Sequence, residues 1–434
     1  MFNASTLVTV VTLLGSVLGL TIQVLLAKRF GLSIEIDAYM LSLALPNFVA
    51  STFASIINYL AVPRLASSEV NKGQKQRYII SLLTLAIIVG IIIILIGIMI
   101  IKPFQISSLP DESAVKNHSI LELLLSAGWI LAGIQTVNSA AVSVLNACKY
   151  HVEASFSTLV PYIGPVIILS IYSNVTSSLT IVTTWIVATA VITLLLLIFI
   201  WNIILNKKNY KLNIKEITNL IFESPKAAIA MSCFASWATI DSFWAPHIGP
   251  GALTTLAFAQ RLLIAAGNIA VIGPITTLTP DLAKLAGTGQ IKSFINLYLK
   301  TQLYICITAI VVALLIYIFG RNIIELVFVR GAMTANDAHQ IASTLNAMLP
   351  GMVAMLMSAF AFRVIFCFPH FYTFGAIIGA AWSIQYYILC KIYHIEGLHG
   401  IAISYDISWI TSLLLINIQI FIFTRKFHIK KSEL

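Results

Sequence analysis

The chain has 434 residues, of which 59% are hydrophobic and only 10% charged, with a formal net charge of +10. Soluble domains carry roughly a quarter of their residues as charges, so this composition excludes a water-soluble fold. Five cysteines lie far apart, with no CxxC or Cys/His cluster, so neither a metal nor a disulfide is expected, and no cofactor motif is present.

The N-terminal stretch "MFNASTLVTVVTLLGSVLGLTIQVLLAKRF" has no basic leader and is long enough to span. It reads as a retained first membrane helix. Hydropathy then predicts twelve spans, near 5–27, 36–62, 78–101, 119–146, 153–172, 178–204, 224–246, 250–278, 292–319, 338–362, 370–392 and 399–424. "YIISLLTLAIIVGIIIILIGIMII" (Tyr78–Ile101) is the clearest. The most polar connection, "NKKNYKLNIKEITNLIFESPK", follows the sixth span. It divides the chain into a six-helix half (1–205), a basic linker (206–223), a second six-helix half (224–424) and a short tail (425–434). The expected fold is an all-α polytopic membrane protein, its two halves arranged around a central cavity.

Positive charge sets the expected orientation. With both termini cytoplasmic, seventeen Lys and Arg residues fall on inner loops and the tail and seven on outer loops, which leaves Arg261 and Lys300 inside spans. Basic residues scattered over so many loops argue against a nucleic-acid partner. A weak repeat accompanies this symmetry. "LAVPRLASSEVNKG" closes the second span and "LTPDLAKLAGTG" the eighth, and superposing Pro63 on Pro280 gives an offset of 217 residues. Parallel repeats of this kind place a transport site between the halves near mid-membrane.

An ionisable group inside a span costs about 2.5–3.5 kcal/mol on insertion scales and usually faces a cavity or a partner. Arg261 lies deep in the eighth span, and Asp241 in the seventh, within "WATIDSFWAPH". A guanidinium matches phosphate oxygens in a bidentate fashion and stays charged, so Arg261 is the candidate for holding an anionic substrate group, with Asp241 beside it. The competing reading is a structural Asp–Arg pair that pins the hairpin of helices seven and eight. Asp37 opens the second span, near the interface; Asp241 and Asp406 (in "ISYDISW") are candidate carboxylates for a coupling ion, sodium or a proton. Trp237, Trp244, Trp382 and Trp409 fit packing or interfacial belts. Pro46, Pro63, Pro161, Pro165, Pro274 and Pro280 lie in or at the ends of spans, where proline bends a helix.

"AKRFGLSIEIDAYMLSLALPNFVASTFA" (Ala27–Ala54) resembles the opening signature of the MurJ (MviN) lipid II flippases, in the multidrug/oligosaccharidyl-lipid/polysaccharide exporter superfamily, where the pattern is "A..FG....DAF..A...PN". "IDSFWAPHIGPGALTTLAFAQRL" is similar to that family's seventh–eighth hairpin, and "LVFVRGAMTANDA" to its "LF..G.FTA.D" loop. The resemblance implies that Asp37 is an outer-gate aspartate facing Thr254, a pair that the 217-residue offset also relates. It implies that Arg261 is a cavity arginine for the diphosphate of a lipid-linked saccharide. The chain also departs from the pattern. Ser16, Ile22, Ala50 and Ser51 stand where the family carries arginines, Gln23 where it carries an aspartate and Ile264 where it carries an acid. Lipid II flippases usually have two further helices after the twelfth.

The expected function is a non-enzymatic flippase of the cytoplasmic membrane, acting by alternating access. Its partners are a lipid-linked saccharide diphosphate (lipid II-like or a polysaccharide repeat unit), membrane lipids and a coupling ion. The alternative is an ion-coupled small-molecule exporter of the same superfamily. A membrane enzyme is disfavoured, because the longest outer loops, Lys102–His118 and Arg321–Asp337, carry no paired catalytic groups.

Overall fold

The structure, a computed structural model, describes residues 4–66, 72–110, 115–116, 119–171, 177–204, 236–288, 290–365 and 372–432. Among them there is no strand. In lipid an isolated helix satisfies its own backbone hydrogen bonds, and long apolar runs therefore fold as helices. These are α1 (Ala4–Phe30), α2 (Ile34–Ala66), α3 (Lys72–Ile96), the short α4 (Lys102–Ser107), α5 (Leu121–Ala147), α6 (His151–Ile171) and α7 (Ser178–Phe199). There follow α8 (Trp237–Trp244), α9 (Ala252–Gly287), α10 (Ile291–Phe328), α11 (Ala335–Ala347), α12 (Leu349–Ile365), α13 (Tyr372–Tyr393) and α14 (Leu398–Ser432). Eight stretches of the described residues are long and apolar enough to cross a membrane, and α11 with α12 does so as a pair bent by 52°. The protein is an all-α polytopic membrane protein.

The expected tenth span, 338–362, is thus not one straight helix. Pro350 has no N–H to donate to the preceding turn and its ring crowds the carbonyl of Asn346, so the helix breaks at Met348. By contrast α2, α6 and α9 run as single helices through Pro46, Pro161, Pro165, Pro274 and Pro280. The third span carries a π-helical turn, Gly97–Ile101, before α4. Of the seventh span only α8 and the residues around it are described; the rest of it, and the linker 206–223, lie outside the described residues.

The chain forms two compact units, Met1–Gly251 with Arg330–Met333, and Ala252–Val329 with Thr334–Leu434. In the first, α5 is the central post, buried over 61% of its apolar window. Its small residues let neighbouring backbones approach, as membrane helix interfaces require. Gly90 of α3 and Gly133 of α5 face each other's carbonyls, and a Cβ on either would stand 2.8 or 2.7 Å from the opposing oxygen. Gly128 faces the carbonyl of Ser42 on α2 at still closer range. Trp129, 1% exposed, lies against Gly97 and donates its Nε1–H to Gln105 Oε1 at 3.1 Å, which ties α5 to the π-turn and α4.

The second unit is joined by a polar network between α10, α12 and α14. Tyr298 donates its hydroxyl to Asn417 Oδ1 (2.7 Å), and Gln302 Nε2 donates both to Tyr298 (2.9 Å) and to the Met357 carbonyl (3.1 Å). In a low-dielectric interior such bonds fix the register of neighbouring helices.

Gly128→Ala should lower stability by about 1–3 kcal/mol, because the added methyl overpacks against the Ser42 backbone. Gly19→Ala, where a Cβ meets only the Tyr162 ring at 3.7 Å, should be neutral. Thermal unfolding midpoints of the two variants in detergent check this.

Candidate functional site

Asp37 lies in the first turn of α2 and is 1% exposed, so it is buried and not solvated at the interface as its place near a helix end suggested. Burial of a carboxylate demands hydrogen-bond donors. One is the N–H of Gly251, which Asp37 Oδ2 accepts at 2.5 Å. Gly251 ends the turn "PHIGPG", immediately before α9. It has φ +80°, and a Cβ there would stand 2.9 Å from the Leu32 carbonyl. Both the left-handed backbone and the close approach demand glycine. Thr254, fully buried, follows in the first turn of α9 and belongs to the second unit.

Asp241 is also 1% exposed, on α8 in the first unit, between buried Ile240 and Ser242. Two residues earlier, Thr239 donates to the Ala44 carbonyl of α2 at 3.4 Å, so α8 is anchored on α2. Arg261 belongs to the second unit. It lies nine residues into α9, about 14 Å along the axis and so nearly half of a ~30 Å hydrocarbon core. Leu256, Phe258, Ala259 and Leu263 are among the buried residues of α9, with Phe258 stacked on Phe328 at 5.4 Å. Arg261 is exposed, and it shares its face, at helical spacing, with exposed Ile264 and Ala265.

Asp406, half-buried on α14, has a defined structural task. Its Oδ1 accepts the N–H of Gly351 at 2.8 Å, in the first turn of α12, where the bend and Pro350 leave backbone donors without helical partners. A carboxylate at a helix N-terminus also opposes the positive end of the helix dipole. Gly351 leaves room for it, since a Cβ there would collide with Asp406 and the Tyr405 ring. Sequence reasoning overlooked both Gly351 and the bend; the "LPG" at 349–351 was the available signal.

The positions that depart from the expected charged pattern fall into two groups. Ile22, Gln23 and Ala50 are buried at 2%, 4% and 4% exposure and serve packing, whereas Ser16, Ser51 and Ile264 are exposed. Among the described residues no group of three His, Cys, Asp or Glu is placed to hold a metal ion.

Comparison with known proteins gives consistent results. The family model of the lipid II flippase MurJ matches residues 26–432. A probable lipid II flippase MurJ of Buchnera aphidicola subsp. Baizongia pistaciae is 22% identical over 336 residues, 75% of this chain, and the chain spans 65% of that relative's length, less than two thirds. The corresponding protein of Buchnera aphidicola subsp. Acyrthosiphon pisum is 21% identical over 80% of this chain and 70% of its own. Among solved structures, a lipid II flippase MurJ in an inward closed conformation superposes with a TM-score of 0.80 at 17% identity, covering 95% of this chain and 87% of that one. An inward-facing multidrug resistance MATE transporter superposes at 0.78 and 12% identity over the full length of both. At these identities the structural matches establish the fold alone.

Asp406→Ala should strand the Gly351 N–H and cost about 1–3 kcal/mol, while Asp406→Asn, which keeps an acceptor oxygen, should unfold within about 0.5 kcal/mol of the parent. Thermal unfolding of the two variants separates a capping role from a purely ionic one.

Proposed function

Since this chain belongs to the MurJ lipid II flippase family, we propose that it carries a lipid-linked saccharide diphosphate across the cytoplasmic membrane by alternating access. The halves 1–205 and 224–424 would alternately expose the head group to either side, with both termini in the cytoplasm and no bond made or broken. The observation that carries this reading is Arg261, a permanently charged group left exposed nearly half a hydrocarbon core's depth along α9. An exposed guanidinium at such depth is stable only where water or an anion meets it.

In this reading Arg261 forks onto the diphosphate oxygens, and Asp241, sealed at the end of the first unit, orients polar groups of the head. Asp37 and Thr254 act as the gate, one on the first turn of α2 and the other on the first turn of α9. A carboxylate whose partners change between states can exchange a backbone donor for a sodium ion or a proton. Asp406 and Asp241 are the candidates for this coupling. The likeness to the MATE fold keeps a small-molecule exporter as the second reading, and the fixed positive charge of Arg261 turns that reading away from cationic substrates.

The test is rescue of cells depleted of their lipid II flippase. The parent chain should restore growth. Arg261→Ala should fail while inserting normally, having lost a charge-assisted contact of about 1.5–3 kcal/mol, roughly 10- to 150-fold in affinity. Arg261→Lys, which keeps the charge and loses the fork, should be intermediate. Arg261→Ala with undiminished rescue sinks the proposed role of the residue. Parent protein that inserts without rescuing moves the substrate to another lipid-linked glycan, to be read with labelled polysaccharide precursors in vesicles.

A further inference from the structure

The connection between α10 and α11 has an unusual allegiance. Residues Arg330–Met333 pack as part of the first unit, whereas α10 before them and α11 after them belong to the second. We propose that these four residues are a releasable strap on the α1–α2 turn, closed here and detached when this end of the transporter opens. The inference rests on the alternating-access reading above.

The geometry of the contact is specific. α1 ends at Phe30, and its last carbonyls have no partner within the helix. The Ala332 N–H donates to one of them, the carbonyl of Lys28, at 2.8 Å. Two glycines make the approach sterically admissible. Gly31 has φ +59°, and a Cβ there would stand 2.8 Å from the Ala332 carbonyl. Gly331 has φ +66°, and a Cβ there would collide with the Lys28 carbonyl. Backbone therefore lies on backbone from both sides, with no side chain between. A contact of this shape is built into the chain at both partners and is not an incidental touch between loops.

Of the strap residues only Met333 is buried, at 3% exposure, while Arg330, Gly331 and Ala332 are exposed. The bond from the Ala332 N–H to the Lys28 carbonyl and the buried Met333 side chain are two of the contacts that seat the strap. The helices on either side end independently of the strap. The Val329 N–H closes α10 on the Glu325 carbonyl at 3.1 Å. Thr334 opens α11 with a reciprocal cap: its N–H donates to Asp337 Oδ2 (2.8 Å), and its Oγ1 accepts from the Asp337 N–H (3.2 Å). A segment bounded by two self-sufficient caps can lift as a unit, and its glycine provides the hinge freedom.

The test uses the full chain with its five native cysteines replaced by serine. Lys28→Cys and Ala332→Cys, both at exposed positions, are joined by a short bis-methanethiosulfonate bridge. Translocation of a labelled lipid-linked saccharide in vesicles should fall at least about tenfold on bridging and return on reduction; each single-cysteine variant should be unaffected. Bridged protein that translocates at the unbridged rate overturns the strap. A second measurement does not depend on transport. Met333→Cys should react slowly with a bulky maleimide in detergent, and severalfold faster when combined with Gly331→Val or with Ala332→Pro, which removes the donor N–H. Equal labelling in all three backgrounds overturns the proposal. Faster labelling in a parent that moves no lipid-linked saccharide supports the strap and fails the flippase reading, so the two are separable.

Discussion

A backbone N–H at membrane depth that has no helical partner must find an acceptor on the chain, because hydrocarbon supplies none. Among the described residues, four acids place an oxygen at the start of a helix. Glu35 accepts from the Ser178 N–H at the head of α7 (2.5 Å), and Asp37 from Gly251 just before α9 (2.5 Å). Asp337 accepts from Thr334 at the start of α11 (2.8 Å), and Asp406 from Gly351 in the first turn of α12 (2.8 Å). Each carboxylate satisfies an orphan donor and opposes the positive end of a helix dipole. Three of the turns and the mid-span bend carry that one kind of contact. It also makes these carboxylates conditional: whatever neutralises or recruits one of them weakens a helix start.

That dependence explains why static and functional readings of an acid coincide here. Asp37 occupies the position proposed as a gate and caps the approach to α9. Asp406, proposed for ion coupling, caps the second half of a broken span. A group that holds a helix terminus in one state and an ion or a proton in another provides the differential interaction that a two-state transporter requires.

Much of the bundle was legible in the sequence because its signal is additive. Twenty apolar residues in a row mean a helix whatever they pack against, and the spans from 36–62 to 178–204 coincide with α2 to α7 within a few residues at most ends. What escaped depends on single residues acting through neighbours distant in the chain. Pro46, Pro161, Pro274 and Pro280 are accommodated without a break, while Pro350 breaks its helix where the Asp406 carboxylate caps the freed Gly351 N–H. The local "LPG" at 349–351 marks the place, but the carboxylate that completes the break lies 55 residues further on. Of the candidate site, Arg261 could be picked out because a charge in an apolar run is conspicuous, and the structure leaves it exposed. The burial of Asp37 could not, because its donor lies 214 residues away. Nor could Gly31 and Gly331, whose partners are each other's neighbouring carbonyls.

The thinness of positive charge bears on what the proposed cavity can hold. Where related flippases carry arginines, Ile22 and Ala50 are packed into the interior, so their side chains could not meet a ligand without unpacking α1 or α2. Ser16 and Ser51 are exposed and neutral. On the proposed role, a diphosphate would therefore meet one fork of charge from Arg261 and otherwise hydroxyl and amide donors, whose hydrogen bonds are about half as strong as charged ones. Weaker ground-state binding does not by itself slow a transporter. A head group held by a single cation is released more readily on the far side, and a carrier gains nothing from affinity that is equal in its two states. On the proposed role, then, the reduced charge leaves Arg261 to select for the anion and lowers the cost of letting it go.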